Sequence, residues 1–474
     1  MVLCMFPGLD EALSAMDPAL RGGGIDRDPE TLEAYSRDES DAPRATPGAV
    51  VTATSTEEVA AVLRAARDHG VPVTPRTGGT SRVGGAIPTA GGILLSLAQM
   101  DRIRTIDPRD MVAVVGPGAV TGAVHEAADE AGLFYAPDPN SADSCTIGGN
   151  VATNAAGPRT FKYGVTRDHV LGLEVVTGTG EILRVGRQTR KGVTGYDLTA
   201  LMVGSEGTLG IVTEATVRLL PRPEAVATLL VLFEDESQIP GAVLAMATAG
   251  AAPRCVELLD ALTLDVLRPD AKVPIPTSAK AMLIVEVDGD ASDLDRMLQR
   301  TGDVLMDQGA SDVLVAQNGS DRDRLWAARR QMSVSVRRLA NHKLSEDVVV
   351  PPARLPELLS AVREIGERQE LKVPAYGHAG DGNLHVNFLW DDDDEKRRVD
   401  AGIVQLFERV VGLGGTLSGE HGLGITKAPY LGLEQSDAVI RVQRQIKDVF
   451  DPAGILNPGK MFPAPGKAPR HGDC

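Results

Sequence analysis

Two short stretches hold the residues best suited to chemistry. Tyr376–Asn387 reads YGHAGDGNLHVN and Ser418–His421 reads SGEH. Together they contain three of the chain's eight histidines, His378, His385 and His421, with Glu420 beside the last. Two neutral imidazoles and one carboxylate form a facial set for a divalent metal, with a coordination position left open. A lone histidine is more often packed or exposed than a ligand. These three lie among glycines that offer no apolar core to pack in. No other cluster in the chain suits a divalent metal as naturally.

The elements that must position them are partly legible. In LHVNF the side chains alternate as in a strand, so His385 and Asn387 share one face and Leu384, Val386 and Phe388 take the other. The glycine-rich run GHAGDGN must turn, and it can fold His378 back toward His385. Glu420 and His421, neighbours in an extended stretch, are expected on opposite sides.

At 474 residues the chain predicts two or more domains. The apolar fraction of 43% is ordinary for a soluble protein, and a formal charge of −17 with no basic stripe argues against binding nucleic acid. No run approaches the ~18 apolar residues that span a bilayer. The start lacks a basic region and carries Asp10 and Glu11, so no secretory signal is expected. Four scattered cysteines, Cys4, Cys145, Cys255 and Cys474, suit reduced thiols in a cytoplasm rather than a disulfide framework.

Residues 1–40 read as a weakly patterned helical lead-in. Val50–Thr52 reads as a strand. Ser55 and Glu58 form a capping box for a helix burying Val59, Val62, Leu63 and Ala66, with Gly70 as its stop. Val71–Thr74 completes a βαβ unit. The following loop, Pro75–Ala86, holds four glycines. It matches neither the Walker loop nor GxGxxG. Backbone N–H groups there suit an anion, and Arg76, Thr77, Thr80 and Ser81 favour a phosphate. A strand Met111–Val115 and a helix Ala119–Gly132 come next. Ala136–Gly157 is a long polar loop whose small side chains let a planar ligand lie against the backbone. Val170–Val176 and Glu181–Val185 read as a hairpin, and Gly204–Thr213 as a glycine-rich turn entering a strand that ends near Leu220. From Thr228 onward the pattern predicts antiparallel sheet with helices on one side. Asp321–Arg338 is a charged helix on which Arg329 and Ser333 share a face. Taken alone, Arg329 reads as one surface charge among many. Asp391–Glu395 reads as a solvated turn before a helix Arg397–Val411 ended by Gly412 and Gly414.

The three glycine-rich segments, in this order and spacing, resemble the FAD-binding domain of the vanillyl-alcohol oxidase/p-cresol methylhydroxylase superfamily. GHAGDGNLH, SGEHGLG and Asp451–Lys460 (DPAGILNPGK) resemble its FAD-linked D-2-hydroxyacid dehydrogenase branch, which includes D-lactate dehydrogenases, the glycolate oxidase D subunit and D-2-hydroxyglutarate dehydrogenase. The resemblance covers residues 40–463. It implies an α+β fold: a two-subdomain FAD-binding domain (41–222) and an antiparallel-sheet cap with the metal site (223–422). A C-terminal helical segment (423–463) returns to the FAD domain, and a flexible tail (464–474) follows.

The resemblance also implies roles. Pro75, Arg76, Thr77, Gly78, Gly79, Thr80 and Ser81 would cradle the FAD pyrophosphate. Pro139, Thr146, Gly148, Gly149, Asn150, Thr153, Asn154 and Gly157 would line the cofactor. Glu206, Gly210, Ile211, Val212 and Asn457 would complete that lining. Relatives with covalent FAD often carry histidine after the paired glycines; here Thr80 stands there, so the flavin is expected to be non-covalent. His378, His385 and Glu420 match the metal ligands, with zinc preferred over manganese or iron, and His421 matches the catalytic base. Arg329, with Ser333, would bind the substrate carboxylate or its distal end, and Asn387 the carboxylate or the metal shell.

The reaction implied is oxidation of a D-lactate-like D-2-hydroxycarboxylate to the 2-oxo acid. The metal activates the hydroxyl, His421 takes its proton, and hydride passes from Cα to flavin N5. D-2-Hydroxyglutarate and glycolate are alternative substrates. The alternatives in class are a metal-free FAD sugar or alditol oxidase or dehydrogenase, and a flavoprotein subunit of an electron-transfer complex. The electron acceptor is expected to be a quinone, a cytochrome or an electron-transfer flavoprotein. Peripheral contact with a membrane and a homodimer are both compatible with the sequence.

Overall fold

The structure, a computed structural model, describes residues 6–189, 191–248, 250, 253–269, 275–316 and 318–462. The expected tail 464–474, Cys4, Cys474 and Gln317 lie outside these. The described residues fall into two compact units. One is drawn from Met1–Ala156, Gly164–Arg222 and Glu420–Asp473, the other from Gly157–Tyr163 and Pro223–Gly419.

The first unit is built on two small sheets. The four-stranded one runs Gly24–Asp26, Ala49–Thr52, Ile93–Ser96, Val73–Arg76, its last three strands parallel. The expected βαβ unit is present, but Ile93–Ser96 inserts between its two strands, a long-range pairing that local pattern does not encode. The lead-in is not purely helical either: after the helix Leu9–Met16 it supplies the strand Gly24–Asp26. Ser55 caps the helix Thr56–Asp68 by accepting from the Glu58 N–H. The reciprocal half of the capping box is replaced. The Glu58 carboxylate takes the N–H groups of Arg21, Gly22 and Thr54 instead, tying the lead-in to the helix. Val59, Val62, Leu63 and Ala66 are fully buried in the core of this sheet. The C-terminal segment returns here too: the Val73 N–H donates to Ile455 and the Asn457 N–H to Val73, extending the edge of the sheet.

The second sheet of this unit has five antiparallel strands in the order Ile103–Asp107, Val112–Val115, Ile211–Arg218, Val170–Val176, Ile182–Gly186. The hairpin closes at Thr177–Gly180, as its turn residues predict. The segment Ala136–Gly157 is not all loop. Ile147–Thr153 is a helix, with Ile147 and Val151 in the core. Its paired glycines lower helix propensity and hide it from sequence. The structure needs Gly148, because a Cβ there would lie 2.7 Å from the Pro117 Cβ.

The second unit is a seven-stranded antiparallel sheet. Its order is Asp312–Val315, Ala225–Phe233, Ala281–Gly289, Cys255–Leu259, Ala375–His378, Asn383–Trp390, His342–Val349. The central strands are buried along their length, apart from Gly289 at the end of one. Helices therefore cover both faces, not one as expected. Gly319–Val336 and Ala261–Leu267 pack on the face of Leu230, Ile284 and Tyr376. Leu294–Asp307 and Asp393–Gly412 lie on the other, where Gly302 meets Val313 and Gly402 meets Phe388. The acidic run is not a free turn. Asp392 caps the Asp393–Gly412 helix by accepting from Glu395, and the acids of the first turn oppose the helix dipole.

Candidate active site

The strand register brings the polar residues of the second unit onto the face packed by Gly319–Val336. Glu257 stands opposite His378, Tyr376 opposite His385, and His385 opposite Asp347. Gly382, with φ of 79°, turns the chain between the strands that carry the two histidines. Gly377 allows them to approach, since a Cβ there would lie 2.4 Å from the Asn383 carbonyl oxygen. The His378 and His385 rings lie edge to face with centroids 5.4 Å apart, and their ligand nitrogens fall within 4.8 Å of one another.

Sequence reasoning missed Glu257. It is fully buried and accepts from His378 Nδ1 at 2.5 Å. Its other oxygen takes Arg329 Nε at 2.7 Å and Nη2 at 2.6 Å. Burial pushes the Glu257 carboxyl up, but Arg329 and His378 outweigh it and hold the group below the usual carboxylate range. An ionised Glu257 is acceptor-only, so His378 Nδ1 carries the proton and, in the neutral ring, Nε2 carries the lone pair. The imidazole thus offers the nitrogen a metal needs. The only signal in the sequence is a charged residue inside an apolar strand, CVELL, which pattern alone does not tie to a histidine far along the chain.

Arg329 is no surface charge. It is 5% exposed, with its guanidinium 5.0 Å from the centroid of the Tyr376 ring. Its Nη1 makes no hydrogen bond among the described residues. Ser333, one turn on, is engaged: Lys343 Nζ donates to its hydroxyl at 2.6 Å and to its carbonyl at 3.1 Å. Asn387 shares the face of His385 but is fully buried, and its amide donates to the carbonyls of Pro374 and His385. These bonds hold its NH₂ on the neighbouring backbone and leave Oδ1 buried with no hydrogen-bond partner among the described residues.

The SGEH stretch is held at each end. In the second unit Asp347, fully buried, accepts from Ser418 Oγ at 3.2 Å and the Gly419 N–H at 2.9 Å. Glu420 is bonded directly to Gly419. In the first unit Glu206 accepts from the N–H groups of Leu423 and Gly424, at 2.7 and 2.8 Å. Gly419–His421 forms a bend instead of an extended run. The expectation of opposite sides therefore fails: His421 Nε2 lies 3.8 Å from Glu420 Oε1. Glu206 accordingly anchors the loop after His421. Burial pushes its carboxyl up, opposed by the two N–H groups. A glutamine would turn an NH₂ toward one of those donors. Glu206→Gln is expected to destabilise the protein by about 1–3 kcal/mol, measured as a lower midpoint of thermal unfolding.

The first glycine-rich loop fits an anion. Among the described residues, none accepts a hydrogen bond from the backbone N–H of Thr77, Gly78, Gly79, Thr80 or Ser81. Gly79 has φ of 71°, and Gly78 lies so close to Ser144 that a Cβ would be 2.7 Å from its carbonyl oxygen. Thr146 Oγ1 donates to Thr77 Oγ1 at 2.5 Å, joining this loop to the second. Such a run of free donors, with no side chain in the way, is what a pyrophosphate requires.

Several side chains assigned to the cofactor are also engaged within the protein. Arg76 donates to the Arg37 carbonyl at 2.6 Å and lies over the Tyr35 ring. The Ser81 hydroxyl accepts from Val83 and Gly85, Asn150 donates to Thr121, and Asn154, with φ of 53°, accepts from the Arg167 N–H. Asn457 donates to the carbonyls of Gly85 and Glu206, tying two glycine-rich segments together. These bonds hold backbone in place, a role that a motif does not reveal.

This fold and these loops define a flavoprotein. The chain matches the FAD binding domain over residues 47–186 and the FAD linked oxidases, C-terminal domain, over residues 222–461. It belongs to the FAD-linked oxidases and binds FAD. It is 41% identical to "Glycolate oxidase subunit GlcD" of Bacillus subtilis, over 90% of this chain and 92% of that protein. It is 36% identical to "D-lactate dehydrogenase" of Anaerostipes hadrus, over 88% of this chain and 90% of that one. Its fold is similar to that of p-cresol methylhydroxylase solved with substrate bound, with TM-score 0.80 and 20% identity, over 96% of this chain and 97% of that structure. The α+β fold is that of the vanillyl-alcohol oxidase/p-cresol methylhydroxylase superfamily, as the resemblance implied.

Proposed function

We propose that this flavoprotein oxidises a D-2-hydroxycarboxylate of the D-lactate type to its 2-oxo acid, using a divalent cation, zinc first, held by His378, His385 and Glu420. The names of its relatives, a glycolate oxidase subunit and a D-lactate dehydrogenase, support the substrate class. The observation that carries the reading is Glu257, buried between an imidazole and a guanidinium on one face of the sheet. FAD, when bound, supplies a two-electron acceptor, and the cation a Lewis acid that lowers the hydroxyl pKa. The chain's own residues do the rest. Arg329, with Nη1 unengaged, takes the substrate carboxylate. His421 accepts the hydroxyl proton. Glu257 keeps the His378 proton on Nδ1 and so leaves Nε2 as the ligand atom. The backbone of Thr77–Ser81 holds the pyrophosphate of a flavin bound without a covalent link.

Electrons then leave to a separate acceptor, a quinone, cytochrome or electron-transfer flavoprotein. No helix among the described residues is long and apolar enough to cross a membrane. Cys145 and Cys255 are buried thiols. The test is anaerobic bleaching of the flavin absorbance with a panel of D- and L-2-hydroxyacids, alongside metal analysis of the pure protein. D-Lactate is expected to bleach it and EDTA to stop turnover. Bleaching by L-acids only would sink the stereochemical assignment. Turnover that survives EDTA in a protein without stoichiometric metal would instead favour a metal-free oxidase of a sugar or alditol.

A further inference from the structure

We propose that Glu257 is a positioning residue that couples cation loading to binding of the substrate carboxylate. This rests on His378 being a cation ligand and Arg329 the carboxylate anchor. The two contacts use different oxygens of one carboxylate: Oε1 meets His378 Nδ1 and Oε2 meets Arg329 Nε and Nη2. Glu257 is fully buried in a central strand, in register with His378, so it has little freedom to follow one partner without releasing the other. Arg329 is confined on its remaining side by the Tyr376 ring, and Tyr376 is the register partner of His385. A cation drawing on His378 Nε2 strengthens the donation from Nδ1 to Glu257. That fixes the plane of the carboxylate, and with it the direction in which Arg329 Nη1 points. By linkage, a carboxylate bound at Arg329 must favour the loaded imidazole in the same measure.

Glutamine is the discriminating substitution. It keeps the shape but offers one acceptor oxygen where two are used, so either His378 or Arg329 loses its partner oxygen and faces an NH₂. The zinc dissociation constant would be measured by competition with a chromophoric chelator on flavin-loaded wild type, Glu257→Gln and Glu257→Asp. FAD content and circular dichroism would be recorded for each. The glutamine variant is expected to bind zinc roughly 10- to 100-fold more weakly while remaining yellow and folded. At saturating zinc its kcat for D-lactate should return close to wild type while KM stays raised. A purely structural role would lower flavin content and kcat together, without that split. The aspartate variant, which keeps the charge, should shift in the same direction by less, and it carries the test if the glutamine variant does not fold. Wild-type zinc affinity and KM in a folded variant would overturn the coupling alone. A wild-type protein that binds no zinc would remove the cation reading and this inference with it.

Discussion

Replacing His385 with alanine is expected to strip the cation and abolish turnover while the protein stays yellow. His385 sits in the middle of the strand Asn383–Trp390, 8% exposed, between Tyr376 and Asp347 in register. Its ring meets His378 edge to face. Removing one of the three proposed ligands should leave a site that cannot hold a divalent ion against solvent. The Lewis-acid contribution of several kcal/mol then disappears, and each 1.36 kcal/mol is about tenfold in rate, so turnover should fall by about a thousandfold or more. The flavin is expected to survive because the loops that fit it, Thr77–Ser81 and the helix Ile147–Thr153, belong to the other compact unit. The measurement is metal content and flavin absorbance on one sample, followed by turnover with a dye acceptor. His385→Gln guards against a packing defect, since it refills most of the space. Stoichiometric metal and full turnover in both variants would exclude His385 as a ligand.

The second large effect is expected from His421→Asn. His421 follows Glu420 in a bend whose ends are pinned by Asp347 and Glu206, so the asparagine should sit where the imidazole was. Flavin and metal are both expected to remain bound. A general base contributes on the order of 10²- to 10⁴-fold, and the reductive half-reaction should slow by that factor in anaerobic stopped flow. An unchanged bleaching rate would remove His421 as the base. This variant separates the two neighbours: loss of metal would make His421 a ligand and shift the proton transfer elsewhere.

The proposed metal-binding and catalytic histidines are marked more clearly in the sequence than their supports. His378, His385 and His421 stand out because histidine is rare in this chain and glycine surrounds it. Their alternation on a strand is a local property and is read from five residues. The supports are different in kind. Glu257 reaches His378 across 121 positions of sequence, and Glu206 reaches Gly424 across 218. A carboxylate in an apolar strand carries no local mark of the partner it will meet. The same holds in the cofactor loops. Free N–H groups follow from the glycines of Thr77–Ser81, whereas the inward commitments of Arg76, Asn150 and Asn457 depend on elements distant in the chain.

By itself the sequence determined most of the element types and the flavin-binding class, and it singled out the residues proposed to hold a metal, because periodicity, turn chemistry and donor identity are local. The tertiary structure alone decided that helices cover both faces of the second sheet and that Ile93–Ser96 divides the βαβ unit. It also decided that Arg329 is buried. Strand order and register set these, and both are fixed by pairing between segments far apart. The register also placed one carboxylate between His378 and Arg329. That placement puts the His378 proton on Nδ1 and holds Arg329 through Nε and Nη2.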